Sequence, residues 1–313
     1  MQVVLTGAGG QLGLDLADAL AAPRPPVAGA DAGAVSVTPL DRAALDVANR
    51  ASVHAAVRDL APDVVVNCAA WTDVDGCEAD EDRCHRVNAL GPWWLAEACA
   101  ATGARLVHLS TDHVFSGAAP IGPRGRPRGW NEFDAIAPGN AYGRAKAAAE
   151  ELIRATLREH HIVRTSWLSG ARGGNFVRTL LELGEHHDRL EVVADQVGAP
   201  TVTRDLATAI IEVIAHGRYG TVHRTNQGRC SRADLARAVF ALAGLDVEVV
   251  DTISARLTRP ARRPSWSVLD DRHARTQGSA TCPTGVTVCG ACCRSSDSSA
   301  PAEPASASGG RRP

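Results

Sequence analysis

The sequence predicts an α/β fold, in which a doubly wound parallel sheet is joined by a smaller α/β lobe. From residue 1 to about residue 225, short apolar runs alternate with longer segments that carry apolar residues at helical spacing. Such alternation is typical of βαβ units, which build parallel sheets. The short runs also lack polar alternation, as expected for strands that helices cover on both faces.

The elements of the sheet follow from the apolar pattern of each segment. Runs rich in Val, Leu and Ile predict strands over residues 3–6, 35–37, 64–67, 105–110 and 161–165. Apolar residues three and four apart predict helices over residues 12–20, 50–60, 84–101 and 141–158. The Pro-, Ala- and Gly-rich residues 21–34 interrupt the first crossover, and we expect a surface loop there.

The second half of the chain has a different organisation. Helical spacing covers residues 175–183, 204–216 and 232–242, and residues 195–201 predict a turn. Residues 277–313 are rich in Thr, Cys, Ser, Pro, Ala and Gly without periodicity. Such a composition cannot bury enough apolar surface to offset the ordering of the chain, so we expect the tail to be disordered.

Composition bears on partners and compartment. The net charge of −2 and the charged fraction of 22% leave no basic surplus that would attract a nucleic acid. No stretch reaches the roughly 20 apolar residues that a membrane-spanning helix needs. Residues 1–7 carry no basic leader and resemble a first strand rather than a signal peptide. We therefore expect a cytoplasmic protein that binds neither nucleic acid nor membrane.

The nine cysteines divide into two groups. Five are scattered through predicted elements, which favours buried, reduced thiols: Cys68, Cys77, Cys84, Cys99 and Cys230. The other four crowd into the tail, where their spacing leaves a metal cluster as an alternative: Cys282, Cys289, Cys292 and Cys293. Because no hairpin-and-helix pattern surrounds these four, we expect no metal site.

A glycine-rich turn follows the first predicted strand and opens the first predicted helix. The spacing of Gly7, Gly10 and Gly13 lets the backbone turn tightly, bring N–H groups against a pyrophosphate, and pack the helix on the sheet. A glycine triplet by itself is a weak signal, and a tight turn without a ligand is the alternative. Its place between strand and helix favours a dinucleotide site of the Rossmann type.

The residues after the second predicted strand bear on the choice of nicotinamide cofactor. They read Thr38-Pro39-Leu40-Asp41-Arg42, without a carboxylate directly at the end of the predicted strand. Arg42 could pair with a 2′-phosphate, which favours NADPH. The alternative is that Asp41 reaches the ribose hydroxyls and the cofactor is NADH.

A Tyr142-x3-Lys146 pair lies in a predicted helix, downstream of the strand end Ser110-Thr111-Asp112. Residues four apart share one face of a helix, so the phenol and the ammonium point into the same space. We expect the ammonium to lower the pKa of Tyr142 toward neutrality, so that the phenol can donate a proton to a carbonyl that accepts hydride. The alternative is an amphipathic helix without a catalytic role.

These motifs divide the chain into functional parts. We expect a dinucleotide-binding domain over residues 1–165, with a later return segment over about residues 195–225. Residues 166–194 and 226–276 would then form a substrate-binding lobe, and residues 277–313 the atypical tail.

Several further stretches carry a resemblance to a known family. They read DVVVNCAAWTDVD (residues 63–75), VNA (87–89), STDHVFSG (110–117), RTSW (164–167), GNF (174–176) and DQVGAPT (195–201). Together with the glycine turn and the Tyr–Lys pair they run in family order over about residues 1–272. The chain resembles the extended short-chain dehydrogenases/reductases, and among them the dTDP-4-dehydrorhamnose reductases.

The resemblance implies a role for each matched position. The catalytic residues would be Thr111, Tyr142 and Lys146, with Thr111 on the substrate carbonyl and Lys146 also on the nicotinamide ribose. The cofactor would contact this Tyr–Lys pair and Gly7, Gly10, Gln11, Leu12, Gly13, Asp46, Val47, Ala70, Trp71 and Thr72. The substrate would contact Thr111, Asp112, Trp167 and Asn175. As alternatives, Asp46 could solvate a turn and Trp167 could pack in the core.

The implied reaction is transfer of hydride from NADPH, or NADH, to C4 of dTDP-4-dehydro-L-rhamnose, which gives dTDP-L-rhamnose. Related 4,6-dehydratases carry an Asp-Glu pair after the active-site Thr, whereas here His113 follows Asp112 and stands where the reductases usually have Tyr. This departure disfavours dehydration. The alternatives are another nucleotide-sugar reductase or epimerase, and a non-catalytic, cofactor-binding regulatory subunit of the same fold.

The tail is a second departure from the family. The family's closing helix is missing beyond about Ala274, and its replacement resembles a translation in another reading frame. The family binds Mg²⁺ between subunits of a dimer, with one ligand in that helix. We therefore expect no metal in this chain and leave a homodimer open.

Overall fold

A computed structural model describes residues 1–22, 35–216 and 218–271. Its strands are β1 (Gln2–Thr6), β2 (Ser36–Leu40), β3 (Val64–Asn67), β4 (Arg105–Thr111), β5 (His160–Thr165), β6 (Leu168–Ser169), β7 (Arg189–Val193), β8 (Val197–Gly198), β9 (Thr201–Val202), β10 (Gly220–His223), β11 (Cys230–Ser231), β12 (Glu248–Thr252) and β13 (Trp266–Ser267). Its helices are α1 (Gln11–Ala21), α2 (Arg50–Leu60), α3 (Val74–Ala79), α4 (Glu81–His85), α5 (Gly91–Thr102), α6 (Ala141–Thr156), α7 (Phe176–Gly184), α8 (Thr203–His216) and α9 (Arg232–Ala243). A π-helical turn, Arg86–Leu90, joins α4 to α5, and short 3-10 turns lie at Asp112–Val114, Pro123–Gly125 and Ser254–Arg256.

Six parallel strands form the central sheet, in the order β10-β5-β4-β3-β1-β2. Alternate residues of β1 face opposite sides of this sheet. Val3 and Leu5 pack with α1 and α8 on one face, and Val4 packs with α2, α5 and α6 on the other. The predicted α/β class with a doubly wound parallel sheet is confirmed. The order of the strands reverses at β1, between β2 and β3, and doubly wound sheets bind ligands at such a switch point.

The second half of the chain adds small sheets and two further helices. Strands β7 and β12 pair in parallel, and α7 and α9 pack together around Leu180 and Phe240. Strand β8 pairs with both β11 and β13. An isolated bridge between Trp130 and Leu269 ties the end of the described chain to a long loop of the first half. The division into a cofactor domain and a substrate lobe stays a prediction.

Three elements differ from the sequence-based expectations. Strand β2 continues to Leu40, because its residues pair with β1 as far as Thr6 and Leu40. The single helix expected over residues 84–101 is interrupted by the π-helical turn, since Pro92 has no N–H to continue an α-helical ladder. Residues 195–201 hold β8 and the start of β9 rather than a turn alone, and their pairing depends on residues distant in sequence.

Some expectations lie outside the described residues. These include most of the predicted loop over residues 21–34, the tail over residues 277–313 with its four cysteines, and the position of the family's closing helix. Among the residues that the structure covers, no helix combines the length and apolarity needed to cross a membrane.

Candidate active site

A continuous cleft follows the carboxyl ends of the central strands. It consists of two adjoining cavities, of about 580 and 450 Å³, which share Gly9, Gly10, Cys68 and Ala70. The larger cavity reaches from the glycine turn past the ends of β4 and β5 to α7 and α9. The smaller cavity lies between the glycine turn and the segment that follows β2.

The glycine turn between β1 and α1 lines both cavities. Gly7 has a φ of +69°, and a Cβ at this position would lie 2.5 Å from the backbone nitrogen of Ala69. A Cβ on Gly13 would collide with the carbonyl oxygen of Gly7. Gly10 begins α1 without a side-chain cap, so the N–H groups of the first turn are available at the cleft. This backbone cradle fits a pyrophosphate at the positive end of the helix.

The structure brings the other predicted cofactor residues to the same groove. Lining residues of the smaller cavity are Gly7, Asp46, Val47 and Trp71; of the larger cavity Gln11, Leu12, Gly13 and Thr72; and of both Gly10 and Ala70. The carboxylate of Asp46 also accepts a hydrogen bond from the Ala48 N–H at 3.0 Å, so it shapes its own turn as well. Contact of these residues with a cofactor stays a prediction.

The expectation about the end of β2 is wrong. Because β2 continues to Leu40, a carboxylate, that of Asp41, follows directly after the strand. Asp41 and Arg42 both line the smaller cavity, and Asp41 accepts a hydrogen bond from the Ala44 N–H at 2.9 Å. The position of the carboxylate therefore no longer favours NADPH, and of residues 38–42 only Arg42 still does.

Helix α6 carries the predicted Tyr–Lys pair. Asn140 caps the helix by accepting a hydrogen bond from the Gly143 N–H at 2.8 Å. Tyr142 lines the larger cavity beside Thr111, at the end of β4, and a hydrogen bond joins the two hydroxyl groups. Lys146, one helical turn further, lines the same cavity and is only 1% exposed. All three predicted catalytic residues therefore lie on one wall of the cleft.

The expected acidification of Tyr142 is wrong for the chain by itself. Burial, followed by the nearby Asp112 carboxylate, raises the pKa of Tyr142 above its ordinary value, and the hydrogen bond with Thr111 lowers it by less. The Nζ of Lys146 donates to the Leu109 carbonyl at 2.5 Å and lies 2.9 Å from Nε2 of His108. The phenol is therefore protonated at neutral pH.

At the far end of the larger cavity, Arg232 forms the wall together with Trp167, a predicted substrate residue, and Phe176. Its guanidinium stacks on the ring of Trp167, 3.6 Å from the centroid, and also covers Phe176. Burial lowers the pKa of Arg232 to about 10, while the Asp112 carboxylate favours its charge. Sequence reasoning missed Arg232. The capping box of Ser231 and Asp234 could have located the start of α9, but no local pattern indicates that Arg232 faces a cleft.

Asn175 takes a different place from the other predicted substrate residues. It caps α7 by accepting a hydrogen bond from the Arg178 N–H at 3.1 Å, and its Nδ2 donates to the Gly170 carbonyl at 2.9 Å. Its neighbours Gly174 and Phe176 line the cleft, whereas Asn175 stands behind them. Its contact with substrate stays a prediction.

His113, the residue that departs from the family pattern, packs edge-on against Tyr142 with ring centroids 5.5 Å apart. Its Nδ1 lies 3.0 Å from Nδ2 of Asn140, which also donates to the Arg262 carbonyl. Burial lowers the pKa of His113, so the ring is neutral at neutral pH. The cap of α6 is thus linked to the last described part of the chain.

Thiols and metal ligands were also assigned from the sequence. The five cysteines outside the tail are free, and four of them are buried while Cys68 is half-buried. In the described ranges, no three His, Cys, Asp or Glu side chains are grouped so that they could hold a metal ion. The absence of a metal site in the whole chain stays an expectation.

A doubly wound sheet with a glycine cradle at its switch point defines a protein of the dinucleotide-binding Rossmann class. Comparison with known proteins is more specific. The family described as the RmlD substrate binding domain matches residues 1–285. The dTDP-4-dehydrorhamnose reductase of Mycobacterium tuberculosis is 42% identical over 275 residues, which are 87% of this chain and 86% of that protein.

Two solved structures agree with this match. A dTDP-4-dehydrorhamnose reductase from Clostridium acetobutylicum has a TM-score of 0.83 at 39% identity, over 91% of this chain and 95% of its own. The dTDP-4-dehydrorhamnose reductase of Bacillus anthracis, solved in complex with NADP, has a TM-score of 0.82 at 35% identity, over 90% of this chain and 95% of its own. The chain belongs to the RmlD substrate binding domain family.

Proposed function

We propose that this chain catalyses the NADPH-dependent reduction of the C4 keto group of dTDP-4-dehydro-L-rhamnose to dTDP-L-rhamnose. The observation that carries the proposal is the cluster of Thr111, Tyr142 and Lys146 in one cavity that adjoins the glycine cradle. The named reductases that the chain resembles, at 42% and 39% identity over most of its length, support the identity of the substrate.

NADPH is the proposed cofactor, and NADH is the alternative. The cradle at Gly7 and Gly10 fits the pyrophosphate, and the smaller cavity beside Asp46 and Val47 fits the adenine end. NADP in the structure of the Bacillus anthracis relative supports NADPH, whereas Asp41 directly after β2 keeps NADH open. The bound cofactor would supply the hydride.

Tyr142 donates the proton in this scheme. As a C–H bond forms at C4 of the sugar, the carbonyl electron pair moves to oxygen, the phenol O–H bond breaks, and the proton passes to that oxygen. Because its pKa is raised, the phenol holds its proton until an acceptor is in place. The Thr111 hydroxyl, already hydrogen-bonded to the phenol, would orient the carbonyl, and Lys146 would hold the nicotinamide ribose.

The substrate would lie in the larger cavity, between the cofactor and the proposed substrate lobe of residues 166–194 and 226–276. Trp167 and Phe176 offer aromatic surface, and Arg232 between them offers a half-buried cation for the pyrophosphate of a nucleotide sugar. Asp112, 4% exposed beside Thr111, would accept hydrogen bonds from sugar hydroxyls.

The direct test is oxidation of NADPH and of NADH by the purified chain, followed at 340 nm, with dTDP-4-dehydro-L-rhamnose generated enzymatically in the assay. We expect stoichiometric oxidation and formation of dTDP-L-rhamnose. Replacing the dTDP sugar by UDP and GDP analogues tests the nucleotide. A well-folded preparation that binds NADPH without turnover would contradict the proposal and favour a regulatory, cofactor-binding protein.

A further inference from the structure

A buried line of hydrogen bonds lies behind the catalytic pair. Oδ1 of Asn67, at the end of β3, accepts hydrogen bonds from the Thr6 hydroxyl at 2.7 Å and from the Ala69 N–H at 3.0 Å. Nδ2 of Asn67 lies 3.0 Å from Nδ1 of His108, and Nε2 of His108 lies 2.9 Å from Nζ of Lys146. Asn67, His108 and Lys146 are at most 1% exposed. The line therefore runs through the sheet almost completely shielded from solvent and reaches the cleft only at Lys146.

The direction of this line follows from its first donor. The Ala69 N–H can only donate, so the Asn67 oxygen accepts from it and the amide nitrogen faces His108. That nitrogen can only donate, so Nδ1 of His108 accepts, and a neutral imidazole then carries its hydrogen on Nε2. The Nε2–H points at Nζ of Lys146. An ammonium has no lone pair to receive this hydrogen, whereas an amine has one.

We propose that Asn67 and His108 are positioning residues that disfavour the ammonium form of Lys146 in the free chain, because the Nε2–H of His108 faces Nζ. The ammonium becomes favoured when Nζ leaves His108 for another partner. This effect follows from the hydrogen-bond line alone. Its consequence rests on the proposed function: stabilisation of the Tyr142 phenolate would be strengthened by the ligand that draws Nζ away.

The groups on Lys146's own helix do not reverse this assignment. Burial is the largest influence and lowers the pKa of Lys146 to about 8, while the Glu150 carboxylate, one turn further on α6, acts in the opposite direction. Glu150 is already paired with Arg164 at 2.6 Å, so its charge is shared. Tyr142, one turn earlier, is a neutral phenol because its pKa is raised.

Two of the groups that face Nζ from other elements are neutral as well. Cys68, after β3, and Cys84, from α4, are the thiols that would favour an ammonium if ionised. Burial raises the pKa of Cys68 to about 12, so this thiol is protonated. Burial also holds the pKa of His108, on β4, well below its ordinary value, so the ring is a neutral imidazole.

Lys146 is the only lysine in the sequence, which permits a direct measurement. Protein labelled with ¹³C,¹⁵N-lysine gives one set of side-chain resonances, whose ¹³Cε shift follows the ionisation of Nζ. In the full chain without cofactor, we expect a titration midpoint near pH 8, about two pH units below that of an ordinary lysine. A midpoint at pH 10 or above would overturn the proposal.

The tautomer of His108 is a second, independent measurement on the same protein. In ¹⁵N-histidine spectra, the resonances of His108 are assigned by their loss in His108→Gln. We expect the hydrogen on Nε2 and a bare Nδ1 at neutral pH. A hydrogen on Nδ1 would reverse the line and contradict the proposal.

Asn67→Asp should reverse the direction in which hydrogen bonds are donated along the line. A carboxylate accepts from the Ala69 N–H and also from an Nδ1–H of His108, so Nε2 would present its lone pair to a Lys146 ammonium. We expect the hydrogen of His108 to move to Nδ1 and the lysine midpoint to rise by about two pH units or more, toward the ordinary lysine value. An unchanged tautomer would overturn the proposal.

Thr6→Val is the matched control, because it removes a donor to Asn67 but leaves the Ala69 N–H to set the direction. The tautomer of His108 and the titration midpoint of Lys146 should both stay as in the wild type. If Asn67→Asp does not fold, the two wild-type measurements decide the question. If the proposed function is wrong, the chain will not oxidise NADPH. The titrations are made on the free chain and do not depend on that result.

Discussion

Tyr142 faces the cleft as a neutral phenol, while Lys146 is engaged behind it by His108 and the Leu109 carbonyl. A general acid must hold its proton until the acceptor arrives, so the raised pKa of Tyr142 suits a donor. The spacing of Tyr and Lys predicted a shared helix face, and the structure has both residues in one cavity. Their protonation states depend on burial and on residues of other strands, which the spacing does not contain.

Tyr142→Phe removes the proposed proton donor and keeps the ring. We expect kcat to fall by roughly 10²–10⁴, the usual contribution of a general acid, with little change in the Kd for NADPH. Steady-state rates and fluorescence titration measure the two quantities. Tyr219→Phe changes the other tyrosine of the chain, which is 37% exposed and outside the cleft, and should leave both unchanged. Full activity of Tyr142→Phe would remove the assigned role.

Arg232→Met keeps an apolar side chain between Trp167 and Phe176 but removes the cation. We expect KM for the nucleotide sugar to rise about tenfold to a hundredfold, because a hydrogen bond to a charged group contributes about 1.5–3 kcal/mol. The Kd for NADPH should change little. Arg229→Met is the control, since Arg229 covers Trp266 outside the cleft. Equal KM values for the two variants would argue against a pyrophosphate contact.

At the scale of elements, α6 is held in place by one buried ionic group. Glu150, fully buried, accepts hydrogen bonds from the Ser110 hydroxyl of β4 at 2.6 Å and from the Arg164 guanidinium of β5 at 2.8 and 2.6 Å. These contacts join the helix that carries Tyr142 to the two strands beside it. The apolar spacing predicted α6 itself, but the pairing of Glu150 with Arg164 requires the strand order of the sheet.

Glu150→Ala leaves the buried Arg164 without its carboxylate. We expect the free energy of unfolding to fall by about 3–5 kcal/mol, the usual cost of breaking a buried pair from one side. Urea denaturation followed by circular dichroism measures the change. Glu151→Ala, next along the helix and exposed, should change the free energy by no more than about 0.5 kcal/mol. A similar small effect for both variants would show that the buried pair does not hold α6.

At the scale of the whole molecule, the sheet buries several histidines as neutral rings. Burial is the main cause that lowers the pKa of His161 to about 4 and that of His223 to about 3. Within the described residues, neither ring nitrogen of His161 has a hydrogen-bond partner. In the unfolded chain the same rings titrate near pH 6.5. The unfolded chain therefore binds more protons below pH 6.5, and acid favours unfolding.

The stability of the protein should be highest above about pH 6.5 and should fall between about pH 6.5 and pH 3–4. In the pH range where a histidine is protonated in the unfolded chain but not in the folded one, it adds about 1.4 kcal/mol per pH unit to the slope of the free energy of unfolding against pH. This holds for each of the two histidines. Urea unfolding at a series of pH values measures the slope. His161→Leu should reduce the slope by about one such contribution, whereas His216→Leu, at an exposed position, should not. An unchanged slope in His161→Leu would contradict this account.

The sequence by itself determined the α/β class, the glycine turn between β1 and α1, and the shared helix face of Tyr142 and Lys146, because each depends on residues close together in the chain. Tertiary structure decided that β2 extends to Leu40 and so places Asp41 at the strand end, that Arg232 enters the cleft, and that His108 faces Lys146. These features arise from pairing and burial between segments far apart in sequence. Local spacing contains no information about such contacts, and for that reason it predicted the groups of the site but not their charge.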